Sequence, residues 1–323
     1  MKKQFWSVVQ TCFPAIALAL ILLVFTFLSG GKLWTPQNLK SVLNTMIPYC
    51  LGGAGLLFAS AQGSSNMSVG STLALCAAVG AVVSNKLGFW AFVPTCLLVG
   101  LAVGLFIGFF ITKFKVSSLM VTLAMLISLR ALVTLLTNGS SIFVDFAVMK
   151  FNNMGVKLPI FIGTIAIFWY VFEYTRVGYF SRCMGENETV GRFSGIPVNR
   201  YKIIAYALAG LMAGLVAIFN VANICGASAT MGNFFEMTCM IAMYVGGIPV
   251  RGGRQSRFYK LLLGSLTLAF LSNGLTISKV NSAWSELIQG VILLLVVFAN
   301  NFIQKQFTRR QMAAAAKASE AAA

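Results

Sequence analysis

Long apolar stretches separated by short polar breaks run along this 323-residue chain. Each approaches the ~20 residues that cross a bilayer as a helix. The pattern predicts ten spans, at about 12–29, 42–61, 66–84, 91–112, 117–137, 158–175, 201–219, 236–250, 261–278 and 284–303. One block breaks the pattern. Residues 176–202, RVGYFSRCMGENETVGRFSGIPVNRYK, read as soluble, with Arg176, Arg182, Arg192, Arg200 and Lys202 beside Glu186 and Glu188.

Two smaller interruptions stand out, Gln62 to Gly70 and the polar-small run from Asn220 to Phe235. Irregular backbone near a membrane is tolerated where protein buries it or water reaches it. Each reads either as a connecting loop or as a re-entrant segment lining a cavity. They fall at comparable places in the two halves, as in transporters built from inverted repeats. Gly100, Gly104 and Gly108, and Gly210 and Gly214, recur every four residues, a spacing that lets helix backbones approach closely.

Composition agrees with the spans. The chain is 58% hydrophobic and 10% charged, against about 25% charged in ordinary soluble domains. A net charge of +17 would suggest nucleic acid in a soluble protein. Here the predicted spans place 17 of the 24 basic residues on one side, 6 on the other, and Arg130 within a span. That asymmetry fits the positive-inside rule with both termini cytoplasmic, and argues against a nucleic-acid partner. The seven cysteines lack a Cys-x-x-Cys spacing and there is no histidine, so neither disulfides nor a metal site is expected. The first span lacks a small-x-small cleavage site and reads as a retained helix. Residues 1–310 are expected to form a single transmembrane domain, with a low-complexity tail over 311–323.

Candidate chemistry is sparse. Arg130 lies deep in the fifth span, where pairing with helix-end carbonyls and a functional role both remain open. Glu173, Glu236 and Glu286 lie near span ends, suited to structural use. No carboxylate sits mid-span for ion coupling, and no Gly-x-x-x-x-Gly-Lys-Ser/Thr loop exists to hold ATP. Without acid/base or nucleophile constellations the chain does not read as an enzyme. It forms a passive pore, takes its energy from another polypeptide, or serves as a scaffold. Polarity and position nominate Asn66, Ser68, Asn220 and Asn223 for a solute path, and the outer loop 138–157, with Asp145, Lys150 and Lys157, for contact with a partner.

The central block carries a resemblance. Gly185-Glu186-Asn187, Ser194-Gly195-Ile196, then Arg200, Lys202 and the run Tyr206 to Gly210 resemble the permease subunits of binding-protein-dependent ABC importers for monosaccharides such as ribose, xylose, arabinose and galactosides. Asn66-Met67-Ser68-Val69-Gly70-Ser71, the glycine pairs 246–247 and 252–253, and Asn273-Gly274-Leu275 extend it over about 40–303. Asn66 stands where the family has Asp, Ile107 where it has Asn, Ala131 and Gln255 where it has Gly, and Pro249 where it has Ser.

The resemblance implies an all-α polytopic fold of about ten transmembrane helices with cytoplasmic termini, similar to the type II, cobalamin-importer-like permease fold, in a bacterial inner membrane. It implies a cytoplasmic ATPase that binds ATP and Mg, leaving this chain without a cofactor. It also implies a second permease copy or paralogue, an extracytoplasmic solute-binding protein and surrounding membrane lipid. Gly185, Glu186, Asn187, Glu188, Arg192, Ser194, Gly195 and Ile196 would form the coupling segment that docks on the ATPase. Physical chemistry is compatible, because acids favour a helix N-terminus and flanking arginines can pair with an acidic partner. The cargo would be a sugar; the departures also admit a nucleoside or other small polar solute, or an ATP-independent facilitator.

Overall fold

A computed structural model describes residues 2–281 and, beyond them, 284–285, 287–292, 294–295 and 298, with side chains from residue 15. Glu286, with eight further residues of the tenth predicted span, and the tail 311–323 lie outside the described residues.

The chain is mostly helical. Its elements are α1 (Lys2–Leu28), α2 (Pro36–Ala61), α3 (Val69–Leu87), α4 (Phe92–Phe114), α5 (Ser118–Thr137), α6 (Met154–Tyr174), α7 (Arg176–Glu186), α8 (Glu188–Phe193), α9 (Val198–Ile224), α10 (Phe235–Val245) and α11 (Phe258–Ile277). Among the described residues seven helical segments are long and apolar enough to cross a membrane. The only sheet among them pairs β1 (Ile142–Phe143) antiparallel with β2 (Gly226–Ala227).

Burial sorts the spans into two layers. The most apolar windows of α2, α3, α9 and α11 are 67–72% buried, whereas those of α5 and α6 are 17% buried. The inner layer is rich in small residues. The outer helices present Leu, Ile, Phe and Trp outward, as lipid requires.

The glycine spacing accounts for the closest crossing. A Cβ on Gly100 would meet the Gly210 carbonyl, one on Gly104 the Tyr206 carbonyl, and one on Gly214 the Cys96 carbonyl. α4 and α9 therefore touch backbone to backbone, the packing that small-xxx-small seams permit.

Local capping shifts several predicted boundaries. Asn153 accepts from the Gly155 amide and starts α6 earlier than predicted. Lys157 thus leaves the outer loop. It is buried, and its Nζ donates to Asn44 Oδ1 at 3.0 Å, so it cannot serve that loop as a partner contact. Asn220 and Asn223 complete the last turns of α9, and the second interruption begins only at Cys225, which adopts a left-handed conformation. α10 stops at the turn Gly246-Gly247 rather than at residue 250.

Candidate coupling surface and interior path

One end of the bundle gathers the basic residues. Here the last turn of α6 carries Glu173, whose Oε2 accepts from Arg182 of α7 at 2.7 Å and from Arg257, just before α11, at 2.9 Å. Its Oε1 accepts from the Phe258 amide at 3.0 Å. One carboxylate thus ties three helices together. The sequence places Glu173 at a span end but gives no sign of its partners, which lie 9, 84 and 85 residues away.

A second lock stands beside it. The Gly253 amide donates to the Ala61 carbonyl at the end of α2, and the Arg254 amide donates to Glu186 Oε1 at 2.8 Å. Gly185 has no room for a Cβ, which would meet the Ala61 carbonyl and the Gly253 nitrogen. Gly252 and Gly253 have φ of +72° and +90°, a region that favours glycine. Lys260 closes the loop by donating to the Gly247 and Gln255 carbonyls. Gln62, which the sequence marks only as the start of the first interruption, spans the same end and donates to Ser181 Oγ at 3.1 Å and the Tyr201 carbonyl at 3.0 Å.

The predicted coupling residues therefore divide. Gly185 and Glu186 close α7 and face the chain's own glycine loop. Asn187 caps α8, its Oδ1 accepting from the Val190 amide at 3.1 Å. Glu188 opens α8, bonding Arg192 at 2.8 Å and Lys202 of α9 at 2.7 Å. Burial opposes its ionisation, yet Lys202 and Arg192 outweigh that and hold it below the usual carboxylate range. Beyond this base the segment is open. Val190 and Phe193 are 59% and 89% exposed, with Arg192, Ser194 and Gly195 beside them and Ile196 half-buried. An apolar knob at the end of an anchored helix is suited to insertion into a partner's cleft.

The two interruptions meet inside the bundle. Gly226 and Ala227 pair with β1 at the end away from the basic loops, where Asn85 of α3 donates to the Phe143 carbonyl. By Gly232 and Glu236 the chain lies against Gly70, the second residue of α3. The segment 228–234, a run of turns, thus leads inward along α3. α10 has only 11 residues, too few to cross alone. Arg130 holds this dip, its Nη1 donating to the Ala229 carbonyl at 2.8 Å and the Met231 carbonyl at 2.7 Å. Its partners are carbonyls of the turn segment rather than the helix-end carbonyls expected from sequence.

The nominated path residues fall in two places. Asn66 and Ser68 are buried just before α3, where Asn66 Oδ1 accepts from the Ser68 amide and hydroxyl. Tyr206 of α9 donates to the neighbouring Ser65 carbonyl at 3.2 Å. Asn223 lies at the far end, three residues before β2, and accepts from Asn152 Nδ2. Asn220, half-buried, is one turn earlier on α9. The structure does not bring the two pairs together. Glu236 is the buried carboxylate between them, beside the α3 N-terminus, and sequence reasoning gave it a structural role only.

A family profile described as the branched-chain amino acid transport system permease component matches residues 38–297. The chain belongs to that family. Among its relatives, a ribose import permease of Escherichia coli K12 is 32% identical over 88% of this chain and 92% of its own length. A ribose import permease of Haemophilus influenzae is 27% identical over 88% and 91%. An L-arabinose transport system permease of Escherichia coli K12 is 29% identical over 78% of each. No solved structure gives a significant match. As a member of this permease family with seven apolar spans among its described residues, the chain is a multi-pass protein of the bacterial inner membrane and a transport subunit rather than an enzyme.

Proposed function

We propose that this chain is the permease subunit of an ATP-driven monosaccharide importer. The observation that carries the coupling half of this reading is α8, a short helix anchored by Glu188 and Asn187 that holds Val190 and Phe193 away from the bundle. A cytoplasmic ABC ATPase, holding ATP and Mg, would receive that knob. Ser194, Gly195 and Ile196 then form the return turn, while Gly185 and Glu186 fix the base. The cargo reading rests on the relatives, which are named for ribose and arabinose.

The basic end is the cytoplasmic one in this reading. It carries Lys113, Lys115, the arginines of 176–200 and those of 251–257, against scattered Lys32, Lys40, Lys86 and Lys150 at the other end. Adding α1, the dip with α10 as one crossing, and the tenth predicted span to the seven apolar spans gives about ten transmembrane helices with both termini inside, as in type II importers. A second copy or paralogue would complete the pathway, and the β1–β2 end would meet the solute-binding protein. Asn66, Ser68 and Glu236 lie nearer the middle of this pathway than Asn220 and Asn223.

Co-purification with the partner ATPase tests the docking assignment. Replacing both Val190 and Phe193 by Asp is expected to reduce recovery of the ATPase at least ten-fold while the permease still folds. Undiminished recovery contradicts the assignment.

A further inference from the structure

We propose that a cavity beside α8 holds the phosphate of an anionic phospholipid. The cavity, about 320 Å³, opens between the α4–α5 connection and the start of α9. Lys115, Ser117 and Ser118 line one wall, and Arg192, Asn199 and Lys202 the other. Glu188 is the carboxylate among its lining residues, so three cations face one acid. Glu188 is already shared between Arg192 and Lys202, leaving Lys115 and the excess charge uncompensated among these residues.

Two further features favour a phosphate. The 20-residue α5 begins at the cavity, and no side chain caps its N-terminus. Its first amides and dipole are oriented as anion sites require. The depth is also that of a headgroup, because the apolar spans α4 and α5 end and begin here. Basic pockets between spans on the cytoplasmic side bind such headgroups.

The surroundings select a lipid over a soluble anion. Phe114, Val116, Leu119 and Met120 are exposed at 60%, 40%, 43% and 68%, giving acyl chains an apolar surface beside the polar cavity. A free phosphate has no use for that surface. This proposal rests on α4 and α5 crossing the membrane and not on the docking of α8, so either can fail alone.

The test uses the full-length chain, without ATPase, and native mass spectrometry of retained lipid. Phosphatidylglycerol is expected to be retained at least five-fold more than phosphatidylcholine, and millimolar inorganic phosphate should not displace it. Lys115→Glu should lose most of that preference, and Asn199→Asp should weaken it, giving a second exposed position should the first variant fold poorly. Equal retention of the two lipids, displacement by inorganic phosphate, or an undiminished preference in the folded variants overturns the proposal.

Discussion

At the scale of single residues, glycine and glutamate do the structural work that larger groups do in soluble proteins. Gly104 is positioned where any Cβ meets the Tyr206 carbonyl, whereas Gly163 on α6 has open space around it. Gly104→Val should cost about 1–3 kcal/mol through overpacking, while Gly163→Val should stay within about 0.5 kcal/mol. Thermal unfolding of the two variants in one detergent measures the contrast. Glu173 is 13% exposed and satisfies two arginines and an amide. Glu173→Gln should cost about 3 kcal/mol, the scale of breaking a largely buried pair, read as a lowered melting temperature. The seam was legible because four-residue spacing is local. The Glu173 hub was not, since two of its three partners lie 84 and 85 residues away.

Glu188 also sets a pH dependence. Its folded carboxyl titrates below the ordinary range because Lys202 and Arg192 outweigh the cost of burial. A depressed folded pKa means its contribution is complete above the unfolded value, about 4.3, and is lost as pH falls through the folded value. Glu188→Gln should therefore flatten the acid limb of the stability profile below about pH 4.3 and leave its slope near neutral pH unchanged. Circular-dichroism melts across that range would show it.

At the scale of elements, the structure turns two ambiguous interruptions into one assembly. The dip 228–234 and the start of α3 meet at Gly232, Gly70 and Glu236, with Arg130 as the strut. Removing the strut by Arg130→Gln should destabilise the chain by about 2–3 kcal/mol, the scale of hydrogen bonds to a charged group. It should also raise labelling of Cys225, half-buried at the start of this segment, by a membrane-impermeant maleimide. Polarity alone revealed that residues near 62–70 and 220–235 are irregular. It could not distinguish Asn220 and Asn223, which remain helical, from the segment that leaves the helix at Cys225. Glu186 shows the same limit. The resemblance places it in the coupling segment, and its polarity gave no sign that its carboxylate accepts the Arg254 amide 68 residues away.

At the scale of the molecule, hydropathy predicted the seven apolar spans found among the described residues because a bilayer imposes their length. Charge placement marked the basic end, and the missing P-loop left a passive pore and an outside energy source both open. What the pattern could not give is the rigid linkage among α2, α6, α7 and α11 through Gly253, Glu186 and Glu173, made by contacts between residues far apart in the chain. In the proposed reading, that linkage would carry a push on α8 into the bundle. The most direct test is uptake of labelled ribose into proteoliposomes that contain the permease, its ATPase and its binding protein. The account predicts uptake that requires ATP and falls at least ten-fold when Val190 and Phe193 are both replaced by Asp. Ribose equilibration through the permease alone, without ATP, would contradict it.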